Sequence, residues 1–250
     1  PLSDSENKID TQKDKFVISS NDGIEKTVRN TRLAFLKSID KEDNQRFNKI
    51  YQSLIEMDPD WIEVIYTKLL RLDDENRKLK LDEIVKIAEL LISKIDQDQL
   101  AKILNIPESF LSEAEKALKK SANHKRAILT DTLYRQARAI AYQEDQAKLN
   151  NPDDFEYNPS FDVAFKALQK WGNTRVKDFI LVHIRHLRRM DKQAQGLALL
   201  NPYLKTTRPE DKKYHLKKLR LLEELGWKEW ISTQQDFINI NYPINPTIKF

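Results

Sequence analysis

LDEIVKIAELLISKI, residues 81–95, decides the fold class. Leu81, Ile84, Val85, Ala88, Leu91, Ile92 and Ile95 repeat every three and four residues without a break, which places them on one face of a helix. The rest of the chain has the composition to continue in that style. Of its 250 residues only four are glycine, none is cysteine and 33% are charged. With Leu, Lys, Ala, Glu and Gln abundant, these values favour an all-α protein over a sheet.

On the N-terminal side, residues 1–23 are polar and aperiodic apart from Phe16-Val17-Ile18, and read as a linker or the end of a preceding domain. Order is expected from about Ile24. Val28, Leu33, Phe35, Leu36 and Ile39 predict a first helix, and Phe47, Ile50, Tyr51, Leu54 and Ile55 a second. Asp58-Pro59-Asp60 is expected to open a third with proline in its first turn, where a missing N–H costs nothing, and with Trp61, Ile62, Ile65, Tyr66 and Leu69 inward.

On the C-terminal side, Pro107 is expected to start a helix buried through Leu111, Ala114 and Leu118, and a long helix follows from about Ala122 to Ala147. Asn150-Asn151-Pro152-Asp153-Asp154 then breaks the pattern. The chain therefore divides, on this reading, into a first helical half over 24–149, a loop over 150–159 and a second half over 160–250. Phe161, Val163, Ala164, Phe165 and Leu168 lead to Trp171-Gly172, and Val176, Phe179, Ile180, Ile184 and Leu187 mark the next helix. Ala194, Leu197, Leu200 and Leu204 make one more. Antiparallel helix pairs in this rhythm resemble an irregular, tetratricopeptide-like α-solenoid, although no strict 34-residue repeat can be written. An irregular helical bundle is the competing arrangement.

The last stretch, Tyr214 to Phe250, closes the plan. Leu216, Leu219, Leu222 and Leu225 predict an apolar stripe, with Lys217, Lys218 and Arg220 toward water. Gly226 stops the helix, because glycine takes the left-handed conformation of a helix C-cap, and Trp227 is expected to fold back over the last turn. Trp230, Ile231 and Phe237 continue an apolar face. Pro243 and Pro246 exclude helix from an extended C-terminal tail, yet Tyr242, Ile244, Ile248 and Phe250 predict that it docks near Leu222, Trp227 and Trp230.

Chemistry is harder to find than architecture. The histidines are His124, His183, His186 and His215. His183 and His186 are spaced for a shared metal, but only Asp178 adds a carboxylate on that helix and HExxH is absent, so core or interhelical hydrogen-bonding roles are favoured. Ser38, Ser53, Ser93, Ser109 and Ser121 lack a glycine-flanked elbow, and glycines this sparse exclude a phosphate-cradling loop. Asp73-Asp74 and Asp153-Asp154 read as turn residues. No catalytic, cofactor-binding or metal-binding residue is expected, and no cofactor.

Charge is uneven. Residues 173–220 hold 13 Lys or Arg against four acids, a local excess of +9 in a chain whose net charge is +4. Phosphates of a nucleic acid are one possible counterpart, yet aromatics for base stacking are not interleaved and Arg185, Arg188, Arg189 and Lys192 are assigned to the outer helix face. A solvated face or an acidic protein partner is favoured over nucleic acid. No apolar run approaches the ~20 residues needed to span a bilayer, so no membrane partner is expected. Lack of cysteine suits a reducing compartment, with cytoplasm or nucleus the default. Pro1 in place of methionine suggests a piece of a longer chain.

Leu222-Glu223-Glu224-Leu225-Gly226-Trp227, then Ile240-Asn241-Tyr242-Pro243 and terminal Phe250, resemble the C-terminal end of the tripeptidyl peptidase II family. Leu72-Asp73 leading to Leu81-Asp82-Glu83-Ile84-Val85, then Ile95-Asp96-Gln97 and Asp131-Thr132-Leu133-Tyr134-Arg135-Gln136-Ala137, extend the resemblance in order from about Thr27 to Phe250. Asn105-Ile106-Pro107-Glu108 departs from the family's Thr-Asp-Pro-Arg-Pro-like turn, and the loop after Asn150 is short. The resemblance implies a cytoplasmic serine exopeptidase that releases tripeptides from free N-termini of oligopeptides, with subunits stacked in a giant spindle. Its Asp, His and Ser catalytic residues belong to an N-terminal subtilisin-like domain, and no position of this chain matches them. The implied partners are other subunits of the same protein, with the oligopeptide bound by the missing domain. Two further readings stay open: an independent helical-repeat adaptor binding an acidic protein or nucleic acid through residues 173–220, and a self-contained enzyme of unrecognised type.

Overall fold

Leu81, Ile84, Ala88, Leu91 and Ile95 are all buried, so the stretch that announced a helix does bury the face its spacing marked out. The computed structural model describes residues 23–76, 80–172, 177–204, 208 and 211–243. Among these the protein is all-α: no strand occurs. Two compact units are formed, residues 1–77 and 78–250.

The first unit contains α1 (23–38), α2 (Asn44–Met57) and α3 (Ile62–Asn76). Its core is Leu36, Ile39, Phe47, Leu54, Trp61 and Val64. Pro59 lies ahead of α3, not in its first turn: the Asp58 carboxylate accepts from the Asp60 N–H at 3.1 Å, and this tight turn delays the helix to Ile62. Arg71 of α3 laces the unit together. Its guanidinium donates to the carbonyls of Asp40 (2.6 Å) and Lys41 (2.7 Å) beyond the end of α1, and lies 4.3 Å from the Phe47 ring centroid. Asp73 and Asp74 sit in α3, not in a turn, and Asp73 is buried.

The second unit contains α4 (Leu81–Ser93), α5 (Gln97–Leu104), α6 (Glu113–Asn150), α7 (Pro159–Trp171), α8 (Lys177–Arg189), α9 (Gln193–Leu200), α10 (Lys212–Leu225) and α11 (Lys228–Asn241). Where two helices were expected, around 107–118 and 122–147, α6 is one helix of 38 residues. Pro107 opens only a short 3-10 turn, and the true start is Ser112, whose side chain caps the Glu115 N–H while Glu115 reaches back to the Ser112 N–H. The Ser112 hydroxyl, donating to the Glu115 carboxylate at 2.7 Å, and then the Ser112 N–H hold that carboxyl below its usual pKa. Nothing in Ser121-Ala122-Asn123 breaks a helix, so the segments fuse. Leu118, expected inside, is exposed.

The second half of α6 is the spine. α4, α5 and α7 all pack on α6, while α8, α9, α10 and α11 pack each on its neighbour in sequence. The expected division at 150–159 therefore lies inside this unit, as the connection between α6 and α7. Trp171 at the end of α7 donates to the Gln97 side chain of α5 at 2.8 Å, and its carbonyl accepts from Thr130 of α6 at 3.1 Å. Gly172 follows because a side chain has no room there: a Cβ would sit 2.6 Å from the Leu168 carbonyl oxygen and 2.7 Å from the Phe179 ring.

Further on, Ile180, Ile184, Leu197, Leu200, Tyr214, Leu221 and Leu222 form one apolar cluster. The stripe of α10 is thus rotated from the expected one. Tyr214 and Leu221, seven residues apart, are fully buried, whereas Leu216 is exposed. Gly226 does end α10 in the left-handed region (φ 69°), and the N–H groups of Gly226 and Trp227 return to the carbonyls of Glu223 and Leu222. Trp227 and Trp230, expected to pack, are 45% and 60% exposed. Tyr242 is buried, but on His215 of α10, 5.6 Å between ring centroids, not on the tryptophans. Ile244, Ile248 and Phe250 lie outside the described residues, as do Phe16, Val17 and Ile18.

Candidate functional site

Arg185, Arg188 and Arg189 were assigned to water, and the structure turns them inward. At positions i, i+3 and i+4 of α8 they share one face, and their side chains are only 12%, 13% and 6% exposed. Lys192, by contrast, is exposed as expected. What draws the arginines in is a carboxylate on the spine. Glu144 of α6 has a side chain 2% exposed. It accepts from Arg185 at 2.8 Å, from Arg189, and from the Asn158 N–H at 2.9 Å.

The pairing spreads from there. Arg185 also grips Asp145 through both oxygens at 3.0 Å. Arg189 donates to Asp162 of α7 at 2.9 Å and to the Asn158 carbonyl at 3.0 Å, and stacks over Tyr157 and Phe161. Arg188 forms a two-pronged pair with Glu224 of α10. One set of ion pairs thus connects α6, α7, α8, α10 and the 151–158 connection. A guanidinium makes this possible because its planar donors satisfy two acceptors at once, so buried charge is compensated by geometry as well as by sign.

The missed residue had a signal. Leu133, Ala137 and Ile140 are buried on one face of α6, and Glu144 continues their spacing of four, three and four residues. An acid in register with an apolar stripe has to find a cationic partner when it is buried. The arginine-rich α8 is the segment that supplies it.

The histidines are structural contacts. His186 Nδ1 lies 3.1 Å from Asp162 and its ring stacks on Phe165, and His183 packs on the same ring. Burial, and then the neighbouring His186, push the His183 pKa down. His215 is buried between Gln234 and Phe237, and His124 is on the surface of α6. Among the described residues no group of three or more His, Asp or Glu side chains is placed to hold a metal. Ser38, Ser53 and Ser93 donate to carbonyls of their own helices, a role that leaves no hydroxyl aimed at a base. Ser109 and Ser121 are exposed, and Asp153 and Asp154 occupy a turn.

Lys217 is the exception to all this pairing. Expected in water, it is partly buried beside Arg188, Arg220 and Arg185. Burial first, and then those three positive charges, lower its pKa to about 8, with Asp145 the only opposing influence. The cause is local: α10 is rotated by Tyr214 and Leu221, which swings position 217 toward α8.

No helix among the described residues is long and apolar enough to cross a membrane. No protein-family model matches the chain, and no solved structure matches it. Curated proteins do. The chain is 26% identical over 237 residues, 90% of its length, to tripeptidyl-peptidase 2 of Arabidopsis thaliana. It is 24% identical over a 252-residue alignment, 94% of its length, to tripeptidyl-peptidase 2 of Oryza sativa subsp. japonica. It spans only 17% and 18% of those two proteins. The resemblance read from the residues therefore stands: along nearly all of its length, this chain is similar to a minor part of the tripeptidyl-peptidase 2 proteins.

Proposed function

We propose that this chain is a non-catalytic helical region of a tripeptidyl-peptidase-2-like serine peptidase, and that its work is to support contacts between subunits. One observation carries the assembly role: Trp227, Trp230 and Ile240 of the terminal α10–α11 pair are 45%, 60% and 77% exposed. Large aromatics left in water at the end of a helical layer are the side chains that dominate protein interfaces. Similarity to under a fifth of the relatives' length agrees with a supporting part, the chemistry belonging to a subtilisin-like domain elsewhere. The tetratricopeptide-like stacking of helix pairs and the cytoplasmic location are parts of the same proposal, as is the oligopeptide substrate of the parent. Nucleic acid is disfavoured, because Arg185, Arg188 and Arg189 are already engaged by carboxylates.

Two measurements test it. The chain alone should release no tripeptide from any oligopeptide, since nucleophilic catalysis needs a positioned base and oxyanion donors. In the full-length parent, Trp227→Ser with Trp230→Ser should lower the assembly size seen by sedimentation velocity while leaving the fold intact. Unchanged assembly would remove the proposed role.

A further inference from the structure

We propose that the cleft between the end of α6, the 155–157 segment, α8 and α10 is a binding site for one phosphate group. Lys148, Phe155, Tyr157, Arg188 and Arg220 stand around it, over the Glu144 pairs. This inference is independent of the assembly role.

Charge is the first reason. Of the carboxylates, Glu144 and Asp145 line the cleft while Asp162 and Glu224 stand next to its arginines, and each of the four is met by an arginine of α8. Lys148 and Arg220 line the cleft in addition, Lys217 does not line it but lies near Arg188, Arg220 and Arg185, and among the described residues Arg220 reaches only the already paired Glu224, at 3.6 Å. The five cations that line the cleft, with Lys217 near three of them, thus exceed these four carboxylates by two charges, the charge of a phosphate dianion. Among the described residues no acceptor reaches the Lys217 ammonium, although it is partly buried and surrounded by guanidinium groups. Like charges held this close are costly unless an anion from outside completes them.

Shape is the second reason. Phe155 and Tyr157 meet edge to face at 5.0 Å and make an aromatic lip, with Lys148 over the Phe155 ring at 5.7 Å. Tyr157 is half exposed, so a flat group carried by the phosphate has a surface to lie on. The Lys148 ammonium of α6 and the Arg220 guanidinium of α10, the lining cations that the α8 ion pairs do not use, suit phosphate oxygens better than a single carboxylate, which offers fewer acceptors and one charge.

The test is thermal unfolding of the 250-residue chain in sodium phosphate against sodium chloride at equal ionic strength. A second arm uses a nucleoside 5′-monophosphate to separate free phosphate from a phosphate ester. Phosphate should raise the midpoint by several degrees at millimolar concentration, and a larger rise with the monophosphate would assign the ester as the source. Arg220→Gln, at a half-exposed position, should keep its midpoint in chloride and lose the phosphate increment. Lys217→Met should unfold at a higher temperature in chloride and also lose the increment. Phosphate stabilises many proteins weakly by exclusion from their surfaces. An equal increment in the parent and both variants, or none in the parent, overturns the site. Should Arg220→Gln fail to fold, calorimetric titration of phosphate into the parent and Lys217→Met decides: heat of binding in the parent alone supports the site, and equal or absent heats overturn it.

Discussion

α8 and α10 look alike as sequences, each an apolar stripe set among lysines and arginines, and the structure uses their charges in opposite ways. On α8 the cations face inward and are matched: Arg185 and Arg189 close on Glu144, and Arg188 closes on Glu224. On α10, Lys217 also faces inward but meets mostly guanidinium groups. Buried charge in α8 therefore specifies which helices meet, while in α10 it works against the fold until an anion arrives. The same excess of +9 in residues 173–220 thus has two physical meanings.

The largest effect is expected from breaking the matched side. Glu144→Ala leaves Arg185 and Arg189 buried without their shared partner, and loss of one member of a buried pair costs about 3–5 kcal/mol. Urea unfolding should show the lost stability, and a change under 1 kcal/mol would mean that the pairs are solvated after all.

Next comes the unmatched side. A lysine whose pKa falls from 10.5 to about 8 on folding carries a penalty of about 3 kcal/mol wherever both states are protonated. That penalty is complete below pH 8 and lifts between pH 8 and 10.5, where the unfolded chain still binds the proton that the folded chain has released. Stability should therefore rise with pH across this window, through Lys217 and the charges facing it, Arg188, Arg220, Arg185 and Asp145. Lys217→Met should be more stable than the parent at pH 7, and the difference should shrink toward pH 10. A parent that loses stability faster than the variant over that range would contradict the sign.

Smaller effects come from the helix ends, which pose the same comparison in the backbone. Both helices finish with a left-handed residue and the same pair of returning N–H groups, Gly226 in α10 and Asp191 (φ 54°) in α8. Gly226→Ala should cost about 1–2 kcal/mol, because an L side chain crowds the following carbonyl there. Asp191→Gly should gain about 0.5 kcal/mol, the relief of strain being partly offset by the greater freedom of unfolded glycine. Thermal midpoints moving in opposite directions would bear this out, and movement in the same direction would not.

Much of the fold was legible. Periodicity at 81–95 named a helix and its buried face, Gly226 named a helix end, and Leu36, Ile39, Phe47, Leu54, Ile180 and Ile184 are buried where apolar spacing put them. The helix end at Asp191 was not legible, because aspartate, although commoner than most residues in the left-handed region, far more often lies outside it. Nor was the fusion of α6, since Pro107 suggested a start that the capping box at Ser112 supplies instead.

Local spacing by itself determined that this protein is helical, where most of its helices lie, and which long-range family it is similar to. Those properties depend on residues within a few turns of one another, or on their order. Tertiary structure alone decided where the charges go. Whether Arg189 meets water or Glu144 depends on residues 45 positions apart and on the rotation of a third helix. Burial of charge is a property of what surrounds a side chain, and no window of sequence contains its surroundings.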